Sequence, residues 1–182
     1  MDRRSFIRSS LSAAVAASIP GTQALAASLL HTPTSVPADI EAITGDGTEV
    51  TLPQAAVQEL SDSLKGRLLL PGSQAYDEAR AVLNPSFDKH PALVVRPTGA
   101  ADVQNAVDFA RDNSLLLAVK CGGHSASGKS SCDMGLQIDL SQLRNARVNR
   151  AAKTARIAGG SLLGELDHEA MSHGLVTTAG SV

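Results

Sequence analysis

The stretch Lys120-Cys121-Gly122-Gly123-His124-Ser125-Ala126-Ser127-Gly128-Lys129-Ser130-Ser131-Cys132-Asp133 decides the fold. Residues 123–130 spell the phosphate-loop pattern G-x-x-x-x-G-K-S/T letter for letter, in which backbone N–H groups wrap phosphates and a lysine reaches the terminal ones. That reading requires a helix opening at Lys129-Ser130, because the helix N-terminus supplies part of the anion site. The next residues argue against one. Cys132, Asp133 and Gly135 intervene, and Leu136-Gln137-Ile138-Asp139-Leu140 alternates like a half-exposed strand.

Working outward, Ala92-Leu93-Val94-Val95-Arg96 reads as a buried strand ended by Pro97, and Thr98 as the cap of the helix that follows. Over residues 100–113, Val103, Ala106, Val107 and Ala110 share one face while Asp102, Asp108 and Arg111 fall away from it. Residues 115–120 read as a second buried strand, which completes a βαβ-like unit before the loop. Beyond the loop, residues 146–149 and 155–158 predict a hairpin around the turn 150–154. Ser161 then reads as the cap of a last helix carrying Leu162, Leu163, Leu166 and Ala170 on one face, with Gly174 as its stop. Toward the N-terminus, Pro53 opens a helix with Ala56, Val57, Leu60 and Leu64 on its apolar stripe. A short strand follows at residues 68–70, and a helix over residues 76–83 stops at Asn84-Pro85. Residues 28–51 show no sustained period and read as an irregular lead-in.

Taken together, Leu93-Val94-Val95-Arg96-Pro97, the 120–130 loop, Asp133, Ile138-Asp139-Leu140-Ser141, Ala158-Gly159-Gly160 and Thr177-Thr178-Ala179-Gly180 resemble a known family. It is the vanillyl-alcohol oxidase and p-cresol methylhydroxylase (PCMH) superfamily of flavoproteins, in its berberine-bridge-like branch. The resemblance implies an α+β, two-lobed PCMH-type FAD-binding domain over residues 76–182, its first lobe complete and its second cut short. It follows a signal segment at 1–26 and a lead-in with one helix at 27–75. It implies FAD as cofactor, bound covalently through His124, whose neutral imidazole is a competent nucleophile for the methyl carbon on the flavin ring. Gly122 and Gly123 suit close approach of backbone to the pyrophosphate, with Ser125, Ser127 and Gly128 completing its cradle. Thr178, Ala179 and Gly180 would bring the second lobe to the flavin.

The family pattern is broken at Cys121 and Met134, where glycine is common, and at Leu83, where an aromatic is frequent. A second flavin tether found in many relatives would be a cysteine beyond Val182, a position that neither Cys121 nor Cys132 matches. Those two read as small buried or loop thiols, or as a disulfide across eleven residues. The implied activity is hydride removal from an alcohol, sugar or phenolic C–H bond, with oxygen or another acceptor reoxidising the flavin. The catalytic base is expected beyond Val182, so the 182 residues alone are expected to be inactive. A flavin-binding or non-enzymatic exported protein of the same fold is the alternative, and the phosphate-loop hydrolase a third reading.

Met1-Asp2-Arg3-Arg4-Ser5-Phe6, a short Ala/Ser-rich apolar run to Ile19, Pro20-Gly21 and Ala24-Leu25-Ala26 read as a twin-arginine signal peptide cleaved after Ala26. Arg3, Arg4 and Arg8 among serines also fit a mitochondrial presequence, but the Pro-Gly break and the Ala-x-Ala exit favour export. The run is too short and too rich in small residues to be a membrane anchor. The expected partners are thus the twin-arginine export machinery and a small-molecule substrate, in a periplasmic or secreted setting.

Composition agrees with a packed domain. The 182 residues are 43% apolar and 19% charged, which suits one ordinary domain or a piece of a larger one, not two. A formal charge of -2 and 2% aromatics without Trp exclude the basic, ring-lined surface of a nucleic-acid binder. His168-Glu169-Ala170-Met171-Ser172-His173 resembles a zinc-protease helix, but histidines five apart do not share a helix face, and no metal site is expected. Asp133 and Asp139 read as structural carboxylates.

Overall fold

Ile-Thr-Gly-Asp-Gly-Thr at residues 43–48 is a hairpin turn, not part of an irregular lead-in. In the computed structural model, which describes residues 34–178, it joins β1 (Ile40–Ile43) to the antiparallel β2 (Glu49–Leu52). Gly47 supplies the positive φ of +92° that the turn needs, and the Thr44 hydroxyl accepts the Thr48 N–H at 3.0 Å. The signal peptide assigned to residues 1–26 lies outside the described residues. Among those described, no helix is long and apolar enough to cross a membrane.

Pro53 opens α1 (Gln54–Ser63), which buries Val57 and Leu60 as its stripe predicts. Strand β3 (Arg67–Leu69) follows, then α2 (Tyr76–Arg80), which ends earlier than expected because Ala81 turns extended. After β4 (Leu93–Arg96) comes α3 (Ala100–Asp112). Thr98 is not its cap: Gly99 is, and Thr98 instead gives its N–H and hydroxyl to Asp102 at 2.8 and 3.1 Å. Asp102 therefore turns inward with Ala106 and Ala110, while Val107 is left exposed.

Strands β5 (Leu117–Lys120) and β6 (Leu136–Asp139) complete a sheet of order β3-β4-β6-β5. Strands β4, β6 and β5 are parallel and β3 is antiparallel at the edge. The βαβ unit is thus real but open, with β6 inserted between its two strands. This central place explains two departures from expectation. Strand β6 is buried on both faces, Gln137 and Asp139 included, whereas β5 lies at an edge and exposes Leu117 and Val119.

One face of the sheet packs Leu68, Leu93, Val95, Leu136 and Ile138 with residues of α1, α3 and the hairpin. The other sets Leu69 and Val94 against Tyr76 and Ala79 of α2. The core runs across position 75 without a break.

Strands β7 (Ala146–Asn149) and β8 (Thr154–Ile157) form the expected hairpin, and α4 (Leu163–Met171) follows. Ser161 is not its cap; its hydroxyl pairs with the backbone of Asn145, and Glu165 takes the Leu162 N–H at 2.9 Å. Leu166 and Ala170 are buried, Leu162 and Leu163 are exposed, and Gly174 closes the helix at φ +67°.

Candidate functional site

Parallel strands bring their C-terminal ends to one side of the sheet, the side where open α/β sheets bind ligands. Here those ends are Arg96, Asp139 and Lys120, with Lys120 and Asp139 in register. Arg96 Nε donates to Asp139 Oδ2 at 2.9 Å, and Lys120 Nζ stands 3.8 Å from Asp139 Oδ1. The Lys120 ammonium also donates to the Ala79 and Glu78 carbonyls at the end of α2, at 2.7 and 3.3 Å. Gln137 Nε2 shares the Ala79 carbonyl at 2.8 Å. Burial pushes the Lys120 ammonium below the ordinary lysine range, Asp139 opposes that shift, and Arg96 adds to it. Asp139 is completely buried and also accepts the Ser141 N–H and hydroxyl.

Above this floor runs the 121–135 loop. Its Gly123 and Gly128 have φ of +74° and +67°, backbone that glycine adopts without strain. A Cβ on Gly122 would stand 2.6 Å from the His124 ring, so a side chain there would displace that exposed ring. The Gly123 carbonyl accepts the Leu83 N–H at 3.1 Å, and Gly128 lies directly against the Phe87 ring. Among the described residues, no acceptor meets the backbone N–H groups of 122–127. The Ser125 hydroxyl accepts the Lys129 N–H at 3.1 Å and lies 3.4 Å from the Ser127 hydroxyl, which leaves hydroxyl protons available to an outside acceptor. Free N–H groups and two hydroxyls on a glycine loop are the donors from which anion cradles are built, so the residues present fit a pyrophosphate.

The loop gathers Gly122, Gly123, His124, Ser125, Ser127 and Gly128 in one turn, with His124 exposed and Gly123 and Gly128 buried. Thr178 is exposed, and no hydrogen bond joins it to the loop; Ala179 and Gly180 lie outside the described residues. No helix begins at Lys129-Ser130, where turns lead into β6, so the phosphate-loop hydrolase has lost its second half. His168 is exposed on α4 and His173 beyond its end, and no metal-binding cluster occurs among the described residues.

Both cysteines are free thiols: Cys121 is exposed, and Cys132 is buried, with its thiol pushed up to about 11 by burial. Sequence reasoning missed Phe87 and Lys89, which with Leu83 back the loop from residues 83–90. Their stretch follows Asn84-Pro85 and has no period to mark it.

Residues 91–182 match the family model described as FAD binding domain. A curated FAD-linked oxidoreductase of Dictyostelium discoideum is 35% identical over 127 residues, 69% of this chain and 28% of that protein. In solved structures, 6-hydroxy-D-nicotine oxidase from Arthrobacter nicotinovorans superposes with a TM-score of 0.59 at 31% identity, covering 62% of this chain and 25% of that one. The berberine-bridge-enzyme-like protein 1 of Physcomitrella patens does so with a TM-score of 0.50 at 32% identity, covering 55% and 22%. The chain spans about a quarter of the length of the curated relatives it matches. With the glycine cradle, the mixed helix-and-sheet fold and these relatives in agreement, this chain belongs to the FAD-binding-domain family of FAD-linked oxidoreductases.

Proposed function

We propose that the chain is the FAD-binding part of an exported FAD-dependent oxidoreductase that holds its cofactor covalently through His124. The observation that carries the cradle is the run of backbone N–H groups at 122–127 without an acceptor among the described residues. In this reading the pyrophosphate of FAD takes those N–H groups, with Ser125 and Ser127 donating from their hydroxyls. Gly122, Gly123 and Gly128 keep side chains out of the way. Bound there, the flavin supplies a hydride acceptor for an alcohol, sugar or phenolic C–H bond and passes the electrons to oxygen or another acceptor. His124 is exposed at the rim of the same turn, with no hydrogen-bond partner among the described residues, so its imidazole is available to a ring laid across the loop. The family resemblance assigns Thr178, Ala179 and Gly180 to the second lobe's contact with the flavin. Export rests on Arg3, Arg4 and the Ala24-Leu25-Ala26 exit.

The test is the intact mass of the protein from its native host, taken under denaturing conditions. One added FAD that vanishes in His124→Ala, on a chain beginning after Ala26, is the expected result. A chain without flavin overturns the covalent assignment, and an uncut N-terminus overturns export.

A further inference from the structure

The flavin loop makes little structure of its own. Within it, Gly128 N–H reaches the Ser125 carbonyl at 3.1 Å, Ser131 N–H the Gly128 carbonyl at 3.4 Å, and Lys129 N–H the Ser125 hydroxyl. Most of what fixes it comes from residues 83–90, between α2 and β4. Besides the Leu83 bond and the Phe87 ring, Lys89 Nζ donates to the Gly128 and Ser131 carbonyls at 3.1 and 3.2 Å. Next to it, His90 N–H donates to Asp133 Oδ1 and the His90 carbonyl accepts the Met134 N–H, both at 2.8 Å.

The backing segment is itself anchored. Arg80 pairs with Asp88 and donates to the Lys89 carbonyl at 3.0 Å, and the buried Tyr76 hydroxyl donates to the Pro91 carbonyl at 2.6 Å.

This arrangement sorts the two ends of the loop's peptide dipoles. A trans peptide points its C=O and N–H to opposite sides, and the described backbone contains no cis bond. With the Gly123 carbonyl drawn back to Leu83, the His124 N–H must point away from the segment. The Lys89 ammonium fixes the far end of the turn, drawing the Gly128 and Ser131 carbonyls inward. It also places a positive charge behind a loop whose outer side is to hold an anion. Hydrogen bonds with an ionised partner are the stronger ones, so the pair from Lys89 and the one from the His90 N–H to the Asp133 carboxylate are the firm ties between segment and loop, and only those of Lys89 come from a side chain of the segment.

We propose that Lys89, outside the matched span of 91–182, is a positioning residue for FAD. By holding the Gly128 and Ser131 carbonyls it pins the C-terminal end of the loop, and with the Gly123 carbonyl tied to Leu83 at the other end the 122–127 stretch is held in the shape that presents its N–H groups to the pyrophosphate. This rests on the FAD reading of the loop given above.

The experiment uses the full chain as wild type, Lys89→Met, which keeps the aliphatic stem, and Lys89→Arg, which keeps charged donors. FAD affinity is measured by flavin fluorescence, covalent uptake by fluorescence on a denaturing gel, and amide hydrogen exchange on the flavin-free chain. In Lys89→Met, affinity is expected to fall at least about tenfold, the order of losing charged hydrogen bonds. Exchange should quicken across 122–131 while β4 and β6 keep their protection, and Lys89→Arg should recover most of the affinity.

If Lys89→Met takes FAD as the wild type does, the positioning role is overturned while the flavin site stands. If β4 and β6 lose protection along with the loop, Lys89 is a fold residue and the role is again overturned. A wild type that takes no FAD at all removes the flavin reading, and this proposal with it.

Discussion

Asp102 and Gly66, 36 positions apart, are joined by a 2.9 Å hydrogen bond from the Gly66 N–H to Asp102 Oδ2. The same carboxylate accepts the N–H groups of Lys65 at 2.9 Å and Thr98 at 2.8 Å, so one side chain ties the turn before β3 to the start of α3. Asp102→Ala leaves the buried Gly66 N–H without an acceptor and is expected to cost about 2–4 kcal/mol in urea unfolding. Asp102→Asn, which keeps one acceptor oxygen, should cost less. Burial works to raise the Asp102 carboxyl, but the N–H groups of Thr98, Lys65 and Gly66 together hold it below its ordinary value of 3.8. Its stabilisation is therefore complete above pH 3.8 and lost as pH falls through the lower folded value. Unfolding curves from pH 6 down to about pH 2 should show an acid loss in the wild type that is reduced in Asp102→Asn.

Gly128→Ala meets two obstacles at once. The backbone there is left-handed at φ +67°, and a Cβ would enter the Phe87 ring. The conformation alone costs about 1–2 kcal/mol and the overlap about 1–3. FAD binding should drop sharply. In the double variant with Phe87→Ala the overlap is relieved but the conformation is not, so a thermal-melt double-mutant cycle should show partial recovery. Simple additivity of the two losses would remove the Phe87 contact from the explanation.

Asp139 is wholly buried against Arg96 and Lys120. Removing one partner of a buried pair strands the other charge, so Asp139→Ala should destabilise by about 3–5 kcal/mol. Replacing the cluster with neutral residues, as in Asp139→Asn with Arg96→Met and Lys120→Met, should cost less than Asp139→Ala alone. Chemical denaturation of the three proteins measures the difference.

The two thiols should separate cleanly. Cys121 is exposed, while Cys132 is buried and its thiol is pushed up to about 11. At pH 8 a thiol-reactive dye should label Cys121 in the native chain and Cys132 only after unfolding. Mass spectrometry of the labelled peptides assigns each site, and native labelling at Cys132 would contradict the packing around it.

Much of this molecule is legible from its residues, and the exceptions have physical reasons. Leu93-Val94-Val95 can be nothing but a strand with both faces covered, and the 146–158 hairpin shows in its turn. Gln137 and Asp139 mislead because alternation normally marks one wet face. Here Arg96 and Lys120 pair with Asp139 and the Ala79 carbonyl accepts the Gln137 Nε2–H inside, and partners brought from distant segments leave no mark on local periodicity. Asp102 is hidden for the same reason. The Asp46-Gly47 turn was in plain view, a two-residue hairpin signal between apolar runs. Of the candidate site, the glycines, serines and His124 stand in one legible motif, whereas Lys89, Phe87 and Leu83 matter only because the chain folds back beneath it.

The order β3-β4-β6-β5 makes the middle strand of the sheet the last to leave the ribosome. Until Asp139 has emerged, β4 and β5 each carry an unpaired inner edge with no neighbour to accept it, the kind of surface that joins other chains. Completion of the sheet therefore waits on the passage of residues 121–135, which link β5 to β6 without a helix. The same residues that form the cradle are the hinge of assembly, so a nascent chain stalled within them is the form of this protein most exposed to aggregation.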